Sequence, residues 1–348
     1  MPVTLFAAAA DYQLDQFLSS RKAAAHIVAP ADVLQHLQAL APQAAWSSGT
    51  TLDDIPKGKK RLFIYDPLHE ASLVQTARQR YPQMDVLGVL HHVIPRLACS
   101  PNGRKGEMGA KPQGTPQQHF AVVCTARTGS TFYCELLQAG GLGAPREHLR
   151  PPLVHVLRQA SVAREQVFDE VLSCGHIDGL FGTKVISEFL FDTVGKAQAA
   201  DTLACLHERG FKFIHLSRDL AEQAVSKYVA GRTDLWHVHG QVRSQHQARI
   251  AQVPYDQAAL HQHYQRAKAE TEALNEALAR LPATAVLAAR YEDFTSQPLT
   301  ALQEAASYLG RTAALSRVDF STLPARLSAA APTMQAMAQR LREETQAR

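Results

Sequence analysis

The sequence lacks the features that mark secreted, membrane-spanning or metal-binding proteins. Its five cysteines are widely spaced and form no CxxC pair, which argues against a disulfide framework and a zinc site. No apolar run approaches the roughly 20 residues that cross a bilayer, and residues 1–20 lack the basic start and apolar core of a secretion signal. We therefore expect a cytoplasmic protein with no transmembrane segment and no bound metal.

A large surplus of charge is also missing. The 36 Lys and Arg residues face 32 Asp and Glu residues, which leaves +4. Such a thin excess does not predict nucleic acid as a partner, although a local cluster of cations could still bind a small anion. The 46% of hydrophobic and 20% of charged residues are ordinary for a globular protein.

One segment separates two patterned regions of the chain. Seven of the nineteen residues in 100–118 are Gly or Pro, and they show no apolar periodicity, which is typical of a linker. On both sides, short apolar runs such as VTLFAA, HIVA and RLFIYDP alternate with helical patterns such as PADVLQHLQAL. We predict a small α/β domain of unknown role over 1–99, the linker, and a larger α/β domain over 119–348.

The second region is expected to hold a P-loop-like parallel sheet flanked by helices. Strands are predicted over 119–125, 181–186, 211–216 and 283–289. Helices are predicted over 131–139, 197–209, 220–230, 256–281 and 299–309.

The sharpest local signal is the segment HFAVVCTARTGSTFYCELLQ, residues 119–138. A β-branched apolar run leads into a polar turn and then an amphipathic helix. That order places the backbone N–H groups of Gly129, Ser130 and Thr131 at a helix N-terminus, where they can surround a phosphate or sulfate. Arg127 adds a planar, permanently charged fork. The alternative for this segment is a plain strand-to-helix turn with a serine cap.

The turn differs from the phosphate loop of nucleotide triphosphatases. That loop, GxxxxGK(S/T), needs a lysine directly after its second glycine, whereas Ser130 follows Gly129 here. The turn therefore gives little support to a P-loop-type kinase that uses ATP.

A second signal lies in FKFIHLSRDLAEQAVSKYV, residues 211–229. An apolar strand ends just before Arg218, Asp219 can cap the next helix, and Ser226 lies about two helical turns past Arg218. Arg218 is thus expected at the carboxyl edge of a parallel strand, where open α/β sheets bind ligands. Taken alone, this segment is better explained by a solvent-facing arginine paired with Asp219.

These segments together resemble a known family. ARTGSTFYCELLQAGGLGAPREHL is similar to the phosphosulfate loop of bacterial sulfotransferases of the trehalose sulfotransferase type, whose donor is 3′-phosphoadenosine 5′-phosphosulfate (PAPS). FGTKVI, SRDLAEQAVSKYVAGRTDLW and RYEDFTSQPLTALQEAASYLG follow in the family's order. The resemblance covers about residues 119–310 and does not extend to residues 1–100.

The resemblance implies a sulfotransferase fold and a site for PAPS, with PAP as product. The residues that it assigns to the 5′-phosphosulfate are Arg127, Thr128, Gly129, Ser130 and Thr131. It assigns the 3′-phosphate to Arg218 and Ser226. Thr128 stands where the family usually has serine, and Met337 lies where its members tend to carry a tryptophan.

The same resemblance implies that Glu147 is the general base, with Arg127 stabilising the charge that develops during transfer. His148 is the alternative base, because its reference pKa is nearer neutrality. The implied acceptor is a hydroxyl of a carbohydrate or glycolipid, and a homodimer is compatible with the family. A sensor that binds PAPS or PAP without catalysis is the alternative from another class of protein, and such a sensor would not need Glu147.

Overall fold

A computed structural model describes residues 24–40, 42–99, 114–148, 164–235, 243–319 and 332–347. The chain divides into two compact units. The described residues of the first unit lie before Gln118 and between Arg146 and Phe181; those of the second unit lie in 118–145 and after Phe181. Most of the predicted linker, and the VTLFAA run near the start, fall outside the described residues.

The helices and strands are numbered here in chain order. The described strands are β1 (Ala25–Val28), β2 (Ser47–Gly49), β3 (Arg61–Ile64), β4 (Asp85–Gly88), β5 (Gln118–Cys124), β6 (His176–Ile177), β7 (Leu180–Ile186), β8 (Phe211–Ser217) and β9 (Val286–Arg290). The described α-helices are α1 (Ala31–Leu40), α2 (Glu70–Arg80), α3 (Ile94–Ala98), α4 (Ser130–Ala139), α5 (Arg164–Gly175), α6 (Ser187–Val194), α7 (Lys196–Glu208), α8 (Leu220–Thr233), α9 (Arg243–Ala251), α10 (Gln257–Leu278), α11 (Tyr291–Ser296), α12 (Pro298–Leu309) and α13 (Pro332–Gln346).

The first unit is built around a parallel sheet with the strand order β2-β1-β3-β4. Strands β1, β3 and β4 are short apolar runs that are almost wholly buried, as expected for parallel strands covered on both faces. A π-helical turn, Val89–Val93, follows β4 directly and leads into α3. Strand β6 pairs antiparallel with the first residues of β7.

The second unit has the strand order β7-β5-β8-β9, in which β5, β8 and β9 run parallel. Cys124 at the end of β5 pairs in register with Leu216, and Ser217 at the end of β8 pairs with Arg290 at the end of β9. Because these carboxyl ends lie in register, the segments that follow the three strands meet at one edge of the sheet.

The predicted α/β class, a parallel sheet flanked by helices, is confirmed. The four strands and five helices predicted for the second unit are present within a few residues of the expected bounds. The last strand begins at Val286 rather than 283, because Ala283–Ala285 forms a 3₁₀ turn.

The C-terminal helix packs into the second unit through Met337. This residue is buried against apolar residues of α8 and α10, among them Tyr228, Val229 and Leu260. Methionine thus fills the place where the resembled family tends to have tryptophan, and its flexible thioether suits such a gap. Among the described residues, no helix combines the length and the apolar character needed to cross a membrane.

Candidate anion-binding site

The turn after β5 has a strained backbone. Arg127 has a φ of 68° and Gly129 a φ of 80°, a region that arginine adopts only at some cost. A side chain at 129 is excluded by space as well, since a Cβ there would lie 2.5 Å from Cδ2 of Tyr291. The Thr128 hydroxyl closes the turn by donating to the Thr125 carbonyl at 3.0 Å. A serine could make the same hydrogen bond, so the threonine preserves this function.

Helix α4 begins at this turn with no side chain as its cap. Gly129 is the N-cap residue, and its side-chain-free position leaves the first amides without a capping oxygen. The first hydrogen bond of the helix runs from the Tyr133 N–H to the Gly129 carbonyl at 3.1 Å. The N–H groups of Ser130 and Thr131 precede that bond, so they point toward the place where an anion would bind.

Arg218 follows β8 and reaches the same turn. Its Nη1 donates to the Arg127 carbonyl at 3.1 Å, and its Nη2 donates to Glu222 at 3.1 Å. The guanidinium carbon lies 4.0 Å from the centroid of the Tyr291 ring, a cation–π contact. Only 9% of the Arg218 side chain is exposed, yet its Nε is buried without a hydrogen-bond partner. A buried N–H of this kind is the exception in folded proteins and fits a binding site.

Ser226 connects the two predicted clusters. Arg127 Nε donates to Ser226 Oγ at 3.1 Å. Asp219 caps α8 by accepting the Glu222 N–H at 2.9 Å, and this fixes the helix on which Ser226 lies. The residues predicted to bind the two ends of one nucleotide therefore form a single contiguous site.

The two arginines repel each other across this site. The pKa of Arg127 is lowered from its ordinary value, first because the side chain is buried and second because the charge of Arg218 is close; Tyr291 offsets this in part. An anion placed beside both guanidinium groups would remove that penalty. Charge and geometry therefore both favour a ligand with phosphate or sulfate groups.

A pocket of about 420 Å³ adjoins Arg218. Its described lining includes Arg218, Arg290 and Arg342, and the one carboxylate among these residues is that of Asp219. Arg342 donates to Asp219 and to Glu222, each at 3.0 Å. The pocket is thus positively charged beside the residues predicted for the 3′-phosphate.

Three residues of this site were missed by the sequence analysis. Gln223 donates to the Ala126 carbonyl at 2.7 Å and also to the Thr125 hydroxyl, so it holds the turn from α8. Tyr291 and Arg342 are the other two. Tyr291 lies directly after β9, where strand-end reasoning could have found it, whereas Arg342 comes from α13 and has no local signal.

Glu147 is the one predicted site residue that belongs to the first unit, whereas the others belong to the second. It is half-buried. Its neighbour His148 is buried, and burial together with the charge of Arg146 lowers the pKa of His148 to about 3. An imidazole that binds a proton only at such a pH is a poor base near neutrality, so the structure argues against His148 as the alternative base.

Comparisons with known proteins agree with this class of site. A family model described as Stf0 sulphotransferase matches residues 119–343. A sulfotransferase from Alicyclobacillus acidocaldarius is 17% identical, with 68% of this chain and 91% of that chain covered and a TM-score of 0.36. The sulfotransferase STF9 from Mycobacterium avium is 11% identical, with coverages of 79% and 81% and a TM-score of 0.36.

A mouse sulfotransferase, whose structure is a complex with PAP, is 15% identical, with coverages of 63% and 70% and a TM-score of 0.29. No curated protein matches the sequence. Because the identities and TM-scores are low, the family match is what identifies the class.

The α/β fold and the family match define a sulfotransferase. The chain belongs to the Stf0 sulphotransferase family, whose model covers most of the second unit. The expectation of a PAPS-dependent sulfotransferase is confirmed at the level of the family.

Proposed function

We propose that this enzyme transfers the sulfuryl group of PAPS to a hydroxyl of a carbohydrate or glycolipid. In this proposal the 5′-phosphosulfate is bound by the turn residues Arg127, Thr128, Gly129, Ser130 and Thr131. The 3′-phosphate is bound by Arg218 and Ser226. The observation that carries the proposal is the direct contact of the two arginines, 3.1 Å between Arg218 Nη1 and the Arg127 carbonyl, at the carboxyl edge of a parallel sheet.

The residues present fit such a nucleotide. The uncapped start of α4 and the buried, unpartnered Nε of Arg218 are both donors, and PAPS is rich in acceptor oxygens. The absence of a side chain at Gly129 lets the backbone approach the ligand closely. The planar forks of Arg127 and Arg218 match phosphate and sulfate oxygens better than a point charge would.

During transfer, the acceptor oxygen bonds to sulfur while the bond from sulfur to the PAP oxygen breaks. Glu147 is proposed to take the proton of the acceptor hydroxyl as that oxygen attacks. Arg127 and the amides of the turn would stabilise the negative charge that grows on the departing oxygen.

The acceptor class, the glutamate base, a homodimer and a cytoplasmic location all stay proposals from the sequence. The sensor alternative differs from the enzyme in one measurable way, because a sensor binds PAP without consuming PAPS. The kinase alternative is disfavoured by the absence of a lysine after Gly129.

The test is transfer of ³⁵S from labelled PAPS to a panel of sugars and glycolipids, together with calorimetric binding of PAP. We expect Arg218→Ala to weaken PAP binding by about tenfold or more, because a charge-assisted pair is lost. The matched control is Arg232→Ala. It removes an exposed arginine near the end of α8, the helix that follows Arg218, where Arg232 pairs with Asp256 at 3.4 Å.

Equal loss of PAP affinity in both variants would mean a general charge effect and would contradict the assigned site. PAP binding without any transfer across the panel would favour the sensor. Transfer from magnesium ATP instead of PAPS would favour the kinase.

A further inference from the structure

The first unit contains a pocket of about 680 Å³ whose chemistry the sulfotransferase site does not use. The lining residues are Ala71, Ser72, Val74, Gln75, Arg78, Gln79, His91, His92 and Gln166. They come from α2, from the π-helical turn after β4, and from α5. The volume is in the range of small-molecule sites.

His91 is held in the pocket wall by a buried carboxylate. Glu70 is fully buried, and it accepts hydrogen bonds from the Leu90 N–H at 2.8 Å, the His91 N–H at 2.9 Å and His91 Nδ1 at 3.0 Å. Only 2% of His91 is exposed, yet its Nε2 is buried without a hydrogen-bond partner. The carboxylate fixes the ring and directs its second nitrogen away from Glu70.

His92 and Arg78 each direct one hydrogen-bond donor toward the other. The Gly88 N–H donates to His92 Nδ1 at 3.1 Å, so the proton of a neutral His92 ring lies on Nε2. Burial, followed by the charges of Arg78, Arg96 and His91, lowers the pKa of His92 to about 3 and keeps the ring neutral.

The Nε2 of His92 lies 3.2 Å from Nη2 of Arg78, which also donates to the Val86 carbonyl at 3.1 Å and so has one N–H left on the side of His92. The Nε2–H of His92 and the Nη2–H of Arg78 are both donors, so they cannot satisfy each other. An oxygen atom that accepts from both would satisfy each of them.

The described lining of the pocket combines apolar and polar side chains. None of these nine residues is acidic, although the Glu70 carboxyl lies behind His91, and Arg78 is the one permanent cation among them. Gln75 and Gln79 are exposed on α2, on the helix that also presents Ser72 and Arg78. Amide and hydroxyl groups of this kind suit uncharged polar atoms, for example sugar hydroxyls.

We propose that this pocket is a second ligand site, which binds the oxyanion of a small polar molecule between Arg78, His92 and His91. The oxyanion can be a carboxylate, a sulfate or a phosphate, since all three present acceptor oxygens to a guanidinium fork. The glutamine side chains contact the uncharged part of the molecule. The site lies wholly within the first unit and is separate from the proposed donor site.

The test uses the full chain labelled with ¹⁵N-histidine and follows the Nε2 resonances by NMR. Sodium sulfate, sodium phosphate and sodium acetate are titrated separately, each against sodium chloride of equal ionic strength. The His92 signal is assigned by its loss in His92→Gln. We expect a saturable shift of His92 with at least one oxyanion and none with chloride, and the order of the three affinities identifies the preferred group.

The deciding variant is Arg78→Gln, which should weaken that affinity by about tenfold because the charged fork is lost. Arg78 is exposed but also donates to the Val86 carbonyl, so urea denaturation of Arg78→Gln checks that the variant folds like the parent. The matched control is Arg80→Gln, two residues along the same helix, where the arginine pairs with Asp53 at 2.6 Å and does not line the pocket. Equal affinities in the parent and in Arg78→Gln would overturn the proposal, as would a shift that chloride reproduces.

A second readout does not depend on any variant. Crystals soaked in sodium selenate should show an anomalous peak within hydrogen-bond distance of both Arg78 Nη2 and His92 Nε2. An ordered pocket with no peak there, in a crystal that binds selenate at the α4 turn, would overturn the proposal and leave the sulfotransferase function untouched.

Discussion

Each unit has a turn that links the end of a parallel strand to a helical segment, and the two turns differ in what their amide groups contact. After β4, the amides of Leu90 and His91 donate to the protein's own carboxylate, Glu70. After β5, helix α4 starts at Gly129 with no side-chain cap. The amides of the first turn are satisfied by a side chain of the protein, whereas those at the start of α4 have no side-chain cap.

The turns after β4 and β5 both follow a parallel strand, but one stabilises the fold and the other is the proposed ligand site. A carboxylate placed at a helix start satisfies donors and stabilises the fold. Arg127 beside the uncapped start of α4 has a lowered pKa, first because the side chain is buried and second because the charge of Arg218 is near. Substitution should therefore affect stability in the first turn and activity in the second.

The largest effect should come from Glu70→Ala. This change leaves two buried amides and His91 Nδ1 without an acceptor, and each unsatisfied buried donor costs about 1–3 kcal/mol. Urea denaturation followed by circular dichroism measures the free energy of unfolding. The control is Glu165→Ala, an exposed glutamate of the same unit, which should change it by less than about 0.5 kcal/mol.

If Glu70→Ala proves too unstable to purify, Glu70→Gln keeps one acceptor oxygen and should give a smaller loss. Stability unchanged in Glu70→Ala would mean that this side chain does not satisfy the turn, and the contrast between the turns would fail.

The next effect is on turnover and concerns Arg127. Arg127→Ala should raise the barrier to sulfuryl transfer by about 2–4 kcal/mol, the scale of a lost donor at a developing oxyanion. Arg127→Gly should lose as much activity, and its stability should hold or rise by up to about 1 kcal/mol, because glycine adopts the φ of 68° without strain. Rates with ³⁵S-labelled PAPS and urea denaturation of the same samples measure both quantities.

Activity that survives in Arg127→Gly would place the stabilising charge on another residue. A marked loss of stability in Arg127→Gly would instead show that the second turn is structural, like the first.

The features of the fold and site that depend on neighbouring residues could be predicted from the sequence. The β-branched run before Arg127, the glycine at 129 and the eight-residue spacing from Arg218 to Ser226 are all signals within a single strand, turn and helix. The fold class follows from the same alternation of apolar runs and helical patterns. Parallel pairing then places the ends of β5 and β8 at one edge.

What the sequence could not provide are contacts between distant segments. Gln223 holds the β5 turn from α8, nearly a hundred residues away, and Arg342 reaches Asp219 from α13. Neither residue lies in a motif, and glutamine or arginine on a helix face is ordinary. The Ser47–Gly49 strand is also invisible locally, because SSG has no strand propensity.

The smallest effect should come from Arg342→Met. This variant tests how far the charged edge of the second unit extends, a cluster made of Arg218, Asp219, Glu222 and Arg342. Arg342 and Asp219 are each about a third exposed, so their ion pair should contribute about 0.5–1 kcal/mol to stability. Burial raises the pKa of Asp219, but hydrogen bonds from Arg342 and from the Glu222 amide outweigh it, and the net shift is downward from 3.8.

A carboxylate with a lowered pKa in the folded state stabilises the fold above its unfolded pKa, and that contribution is lost as the pH falls through the folded value. The stability difference between the parent and Arg342→Met should therefore be constant at neutral pH and shrink below about pH 4. Urea denaturation across pH 3–7 measures it, with Arg311→Met as control because the Arg311 partner, Gln118, does not titrate. A difference that persists at pH 3 would show that Arg342 acts through packing of its aliphatic stem, and the charged edge would then end at Arg218.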